Sequence, residues 1–191
     1  MATAWSSLEV AKLVVSVMTP VVVVALGFMV TRAARRIEDA QWSDRKLIER
    51  RIALYDEMAG PLNDLFCFFW MVGHFREVRP PNAIARKRTL DKAFYANRFL
   101  MTDEFTRLYH AFIDTCFVQG ERRGHDAKLR ASITRQEQER GKAAPWNDKW
   151  NDLFVDDPRR VTTDAEVDTT YRALMRRFAA ECGVVAADES D

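Results

Sequence analysis

From Leu13 to Thr31 the chain carries no charge, and this stretch constrains the rest. At about 1.5 Å per helical residue it is long enough, with help from its flanks, to cross a hydrocarbon core of about 30 Å. A helix on the surface of a globular domain keeps a polar stripe for water. Here Val14, Val15, Val17, Met18, Val21, Val24, Leu26, Phe28, Met29 and Val30 cover every face. A strand of this length would be exceptional. Pro20 lies inside the run, and a membrane span tolerates it because neighbouring groups re-satisfy the freed carbonyl. The expected element is one transmembrane helix, with Leu13, Val17, Pro20, Val24 and Phe28 as its lipid-facing anchor.

The flanks set an orientation. Trp5 stands where an interfacial aromatic belongs, and Lys12 is within snorkelling reach of the nearer surface. Arg32, Arg35 and Arg36 follow the run, then Arg45 and Lys46. The basic excess places the C-terminal side in the cytoplasm and the N-terminus outside, with Arg32, Arg35 and Arg36 against anionic lipid headgroups. No basic segment precedes the apolar run, so a cleaved signal peptide fits poorly. The location implied is a bacterial inner membrane.

Of 191 residues, about 160 remain after the anchor, enough for one domain with its own core. Net charge is +1, which argues against a polycation built for nucleic acid. The sign is uneven, however. Seven basic and four acidic residues lie between Arg32 and Arg51, whereas the tail from Glu181 to Asp191 holds four acids and no base. That tail reads as solvated and disordered. Cys67, Cys116 and Cys182 are odd in number and far apart, which implies no disulfide framework.

Glycine and proline are scarce and no alternating pattern lasts, so the domain reads as all-α. Residues 32–59 read as a juxtamembrane helix merging into the bundle. Ile48, Ile52, Tyr55 and Ala59 form its packing stripe, and Gly60-Pro61 kinks or ends it. A heptad reading of the same helix puts Asp44 and Arg51 in the seam, which disfavours a parallel coiled coil. Leu65 to Val72 is a core helix, too short for a second span. A further helix begins at Pro81 or Asn82 and runs to about Asn97. Thr102 caps another from Asp103, in which Phe105, Leu108, Tyr109, Phe112 and Cys116 share a face until about Gly120. Lys128 to Arg140 reads as a helix with Leu129 and Ile133 on one side. Thr163 with Glu166 is a capping box for a last helix carrying Val167, Tyr171, Leu174 and Phe178, stopped at Gly183.

Between Glu121 and Lys149 eight basic residues face five acids. Trp146, Trp150 and Leu153 lie on one side of a short helix. Two tryptophans this close either anchor a segment onto the bundle or form a docking site. With the Arg122 to Arg140 surface, and Arg122, Arg123 and Arg130 in particular, they are the candidates for contact with a partner, whether another protein or a second copy of the chain. Stacking of bases on the two indoles is the route by which nucleic acid would bind, but neighbouring acids dilute each basic cluster.

The search for chemistry returns little. No Walker loop, dinucleotide-binding glycine pattern or nucleophile elbow is present. Cys67, His74, His110 and Cys116 lack a metal-ligand spacing, so neither a metal nor another cofactor is expected. Gly124-His125-Asp126 is the nearest approach to a base beside an orienting acid.

The segments PLNDLFCFFWMVGHF, RPPNAIARKRTLDKAFYANRF and EFTRLYHAFIDTCF resemble bacterial single-pass membrane proteins with a cytoplasmic helical domain. The resemblance covers about residues 45–120 and brings no activity and no site residues with it.

The expected architecture is therefore all-α. An N-terminal tail and transmembrane anchor (1–31) and a juxtamembrane helix (32–59) lead into a cytoplasmic bundle of four to six helices (60–183), followed by an acidic tail (184–191). The leading function is a membrane-tethered, non-catalytic interaction or sensing module. A membrane-disrupting effector, such as a toxin or an antiviral abortive-infection component whose span oligomerises on a cytoplasmic trigger, is the second reading. A membrane-bound enzyme with a site near His125 is the third.

Overall fold

A computed structural model describes residues 7–119, 127–141 and 144–184, with the side chains of 7–17, 19–23, 25, 33–34, 36–41 and 43 excepted. It is mostly helical. The chain divides into two units, Met1–Lys46 and Leu47–Asp191, and the boundary falls inside the long helix α1 (Ser7–Trp70).

In the first unit, Val24, Leu26, Phe28, Met29 and Val30 are all more than half exposed. Thr31 donates its hydroxyl hydrogen back to the Gly27 carbonyl (2.8 Å), which removes a polar group from competition within an apolar turn. Arg32 and Arg35 are exposed. The side chains of Leu13, Val17, Pro20 and Arg36 lie outside the described residues, as does Trp5. Among the described residues no helix is long and apolar enough to cross a membrane.

In the second unit, α1 is the central element of the core. Leu54, Met58, Leu62, Leu65 and Phe68 are at most 3 % exposed, and their spacing of four, four, three and three makes one face of a helix. The expected stripe of Ile48, Ile52, Tyr55 and Ala59 is thus displaced round the helix; Ile48 and Ile52 are exposed. Nor does Gly60-Pro61 end α1. Pro61 removes one backbone donor, at a cost of about 3 kcal/mol in an isolated helix. Met58 and Leu62 are both fully buried on either side of it, and each contributes about 1.5–3 kcal/mol by leaving water. Packing therefore outweighs the local break.

Helix α2 (Pro80–Asn97) starts on the proline pair, where the absent N–H costs nothing. Helix α3 (Asp103–Cys116) is capped by Thr102, whose Oγ1 accepts from Phe105 N (3.3 Å). The Phe94 and Tyr109 rings of α2 and α3 stack with centroids 4.0 Å apart. Asp91 ties the same pair together, accepting from the Tyr109 hydroxyl (2.9 Å) and from Lys87 Nζ (2.6 Å). Lys87 is buried, and that carboxylate is what allows it to be.

Helix α3 ends at Cys116 rather than near Gly120, and the chain continues as strand β1 (Phe117–Val118). Strand β2 (Lys128–Leu129) pairs with it antiparallel, Phe117 opposite Leu129 and Val118 opposite Lys128. The expected helix from Lys128 therefore begins only at Ile133, as α4 (Ile133–Arg140), capped by Ser132. Leu129 is fully buried and also bridges Phe154; a helical residue could not offer its backbone to two neighbours in this way.

Residues Asp148–Leu153 form a 3₁₀ helix, and α5 (Asp164–Glu181) closes the bundle against α3. The capping box is complete: Glu166 N donates to Thr163 Oγ1 (3.3 Å) and Thr163 N to Glu166 Oε2 (2.8 Å). At the other end Gly183 has φ +73°, the left-handed conformation that glycine adopts without a Cβ penalty. This lets Gly183 N reach the Ala180 carbonyl and Val184 N the Ala179 carbonyl, both at 3.0 Å. The acidic tail after Val184 lies outside the described residues.

Candidate functional site

The last carbonyls of a helix have no partner within it, and α4 supplies partners to those of α1. Gln136 Nε2 donates to the Phe68 carbonyl (2.8 Å). Met71 (φ 60°) and Gly73 (φ 58°) turn the chain left-handed after α1. The strain at Met71, a residue with a Cβ, is about 1 kcal/mol or more. The segment that follows is held by Arg140. Its Nη1 donates to the Arg76 carbonyl (3.1 Å) and its Nη2 to the Val78 carbonyl (2.8 Å), while Nε and Nη2 both reach Gln136 Oε1 (3.2 and 3.1 Å). The rings of Phe68 and Phe75 lie 5.5 and 5.7 Å from its guanidinium.

Arg140 is 2 % exposed, and every acceptor it meets among the described residues is neutral. Burial, and after it the neighbouring Arg76 charge, pull its pKa down to about 10, so it remains a cation at neutral pH.

Above this buried charge the turn after α1 and the 144–150 segment enclose a cleft of about 920 Å³. Arg76, Arg79, Arg140 and Lys149 line it with Glu77 and Asp148, four cations against two acids, and Trp146 and Trp150 form an aromatic part of the wall. The two indoles meet edge to face at 5.3 Å. Trp146 Nε1 donates to Asn151 Oδ1 (2.9 Å), and its ring lies 5.8 Å from that of the fully buried Phe154.

The two tryptophans are thus brought together, half-buried, packed on the core and lining the cleft at once. Arg130 is used differently. It donates through Nε to the Arg160 carbonyl (2.8 Å) and through Nη1 to the Asp114 carbonyl (2.7 Å), stitching three segments together. Arg122, Arg123 and His125 lie outside the described residues. Sequence reasoning passes over Arg76 and Arg79 as site residues and takes Arg140 only as the end of the basic Arg122 to Arg140 surface. The available signal was Arg76-x-x-Arg79 directly before Pro-Pro, a basic pair on a turn; nothing local marks Arg140 as buried.

One grouping has the residue types of nucleophilic catalysis. Asp64 Oδ1 lies 2.8 Å from His74 Nε2, and its Oδ2 lies 2.7 Å from Arg86 Nε. Cys67 is close by, but the contact it makes to His74 is through the backbone, and burial first, then Asp64, push its thiol up. A nucleophilic thiol needs the opposite shift. Burial also pushes up Cys116 and Cys182. Among the described residues no three His, Cys, Asp or Glu side chains are grouped so as to hold a metal ion. His110 instead packs its ring on Phe94 and Tyr109.

No protein family, curated protein or solved structure matches this chain.

Proposed function

We propose that the chain is a membrane-tethered, non-catalytic module for protein interaction or sensing, held in a bacterial inner membrane with its N-terminus outside and its bundle in the cytoplasm. One observation carries the tether: five large apolar residues of α1 between Val24 and Val30, namely Val24, Leu26, Phe28, Met29 and Val30, are each more than half exposed. Water would penalise each by about 1–3 kcal/mol relative to an apolar surrounding. Arg32 and Arg35 follow directly, suited to anionic headgroups. Confinement to the membrane raises the local concentration of the module for partners there. The working surface in this reading is the cleft walled by Trp146 and Trp150.

The test has two arms. Carbonate-washed membranes should retain the chain, and release of it into the wash would overturn the tether. The apolar segment should then be exchanged for an unrelated span. A module keeps its co-purifying partner and its phenotype after the exchange. If the native chain depolarises cells and the exchanged one does not, the span is the active element, and the membrane-disrupting reading replaces this one.

A further inference from the structure

We propose that the cleft beside α4 binds a phosphate-bearing planar ligand of nucleotide type, its phosphates on Arg76, Arg79 and Lys149 and its ring against Trp146 or Trp150. The inference deepens the sensing reading and rests on it for the cleft being the working surface.

The charge is the first argument. Arg140 is a buried cation that, among the described residues, meets only carbonyls, an amide oxygen and two ring faces. A second cation, Arg76, lies beside it. Arg76 is exposed and its repulsion with Arg140 is partly screened by water, but both charges favour an anion at this mouth over a cation. Arg76 gives Nε and Nη2 to the Glu139 carbonyl (3.2 and 2.9 Å), and among the described residues no acceptor takes its Nη1. Among the described residues, the side chains of Arg79 and Lys149 make no ion pair, and the four cations of the wall outnumber Glu77 and Asp148 by two. Guanidinium groups match phosphate oxygens in geometry as well as charge.

The second argument is shape and surface. A cleft of about 920 Å³ is of the size that holds a cofactor-sized molecule. Indoles at right angles present one face and one edge, so a flat ring entering the cleft has a surface on which to stack. A bare phosphate would leave that wall unused.

The experiment is calorimetric titration of the full chain, in a maltoside detergent free of phosphate, with ATP, inorganic pyrophosphate and adenosine. ATP should bind once per chain and more tightly than pyrophosphate, with adenosine far weaker than either. Arg79→Gln and Lys149→Gln, both exposed changes, should each weaken ATP and pyrophosphate about tenfold. Trp150→Ala should reduce ATP to the pyrophosphate level and leave pyrophosphate unchanged. A circular-dichroism melt on each variant separates loss of the site from loss of the fold. Absence of saturation by both phosphates at about 1 mM, far above useful affinity, overturns the proposal. So does ATP binding that ignores both glutamine variants. Pyrophosphate binding as tight as ATP removes the nucleotide assignment, and adenosine binding as tight as ATP removes the phosphate assignment. Titration in detergent does not depend on the tether, so a failed membrane wash with intact ATP binding would sink the tether alone.

Discussion

Arg51 and Glu181, 130 positions apart, hold each other across the bundle. Arg51 Nη2 lies 3.1 Å from Glu181 Oε2, and Arg51 Nη1 donates to the Glu181 backbone carbonyl (3.2 Å). The side-chain contact is an ion pair without the alignment of a hydrogen bond, and Glu181 Oε2 accepts none. The other oxygen is crowded: Arg177 Nε and Nη2 each lie 2.9 Å from Oε1, and the Thr102 hydroxyl also donates to it. Arg177 reaches on to Glu104 Oε2 (2.8 Å). One buried carboxylate thus joins α1, the start of α3 and the end of α5. Arg51, one of the two charges that argue against a coiled-coil seam on α1, finds the partner for its charge within the bundle.

Glu181→Gln should therefore cost about 3 kcal/mol, because it leaves two guanidinium groups without their shared anion. Urea denaturation followed by circular dichroism checks this. The double change Arg51→Met with Glu181→Leu should recover part of the loss, since an apolar pair of similar volume needs no desolvated charge.

The hold of α4 on the end of α1 can be measured separately. Arg140→Met leaves the carbonyls of Arg76 and Val78 and the Gln136 side-chain oxygen without their donor. At about 1–3 kcal/mol for an unsatisfied buried group, a loss of about 3 kcal/mol is expected after relaxation. Hydrogen exchange should accelerate first in residues 72–79. Uniform acceleration across the bundle would show that Arg140 does not act locally.

The capping box gives a pH-dependent prediction. The N–H of Thr163, and after it the Thr163 hydroxyl, hold Glu166 below the usual carboxylate range. A depressed folded-state pKa means that the contribution is complete above the unfolded value of about 4.3 and is lost as pH falls through the folded value. Thr163→Ala should cost about 1 kcal/mol at neutral pH. It should also move the NMR titration of the Glu166 carboxyl upward. An unmoved titration would rule out this capping interaction in solution.

The two tryptophans should differ. Trp146 packs towards Phe154 and bonds to Asn151, whereas Trp150 has its aromatic contact with Trp146. Trp146→Ala should destabilise by about 2 kcal/mol, below the cost for a fully buried indole. Trp150→Ala should cost about half as much. Equal losses in urea melts would contradict this ranking of anchor and wall.

What the sequence makes legible here is chemistry that acts within a few residues. The caps at Thr102 and Thr163, the faces of α3 and α5 and the stop at Gly183 all depend on neighbours three or four positions away. The survival of α1 through Pro61 does not, because it rests on the burial of Met58 and Leu62 by other helices. Strands β1 and β2 are two residues each, too short for any periodicity, and owe their position to Leu129 serving two neighbours. The cleft was half legible for a similar reason. Its tryptophans advertise themselves by composition, but Arg140 becomes a site residue only when Phe68, Phe75 and the carbonyls of Arg76 and Val78 close round it.

Because Arg51 reaches the backbone of Glu181, the last described turn of the second unit returns to the helical turn of α1 near the start of that unit. A short glycine-serine bridge from Val184 to Leu47, with new ends opened in an exposed loop, should yield a circular permutant with the same core. By the same geometry, a reporter fused after Val184 would emerge beside the incoming helix. It would leave the mouth of the cleft for whatever enters there.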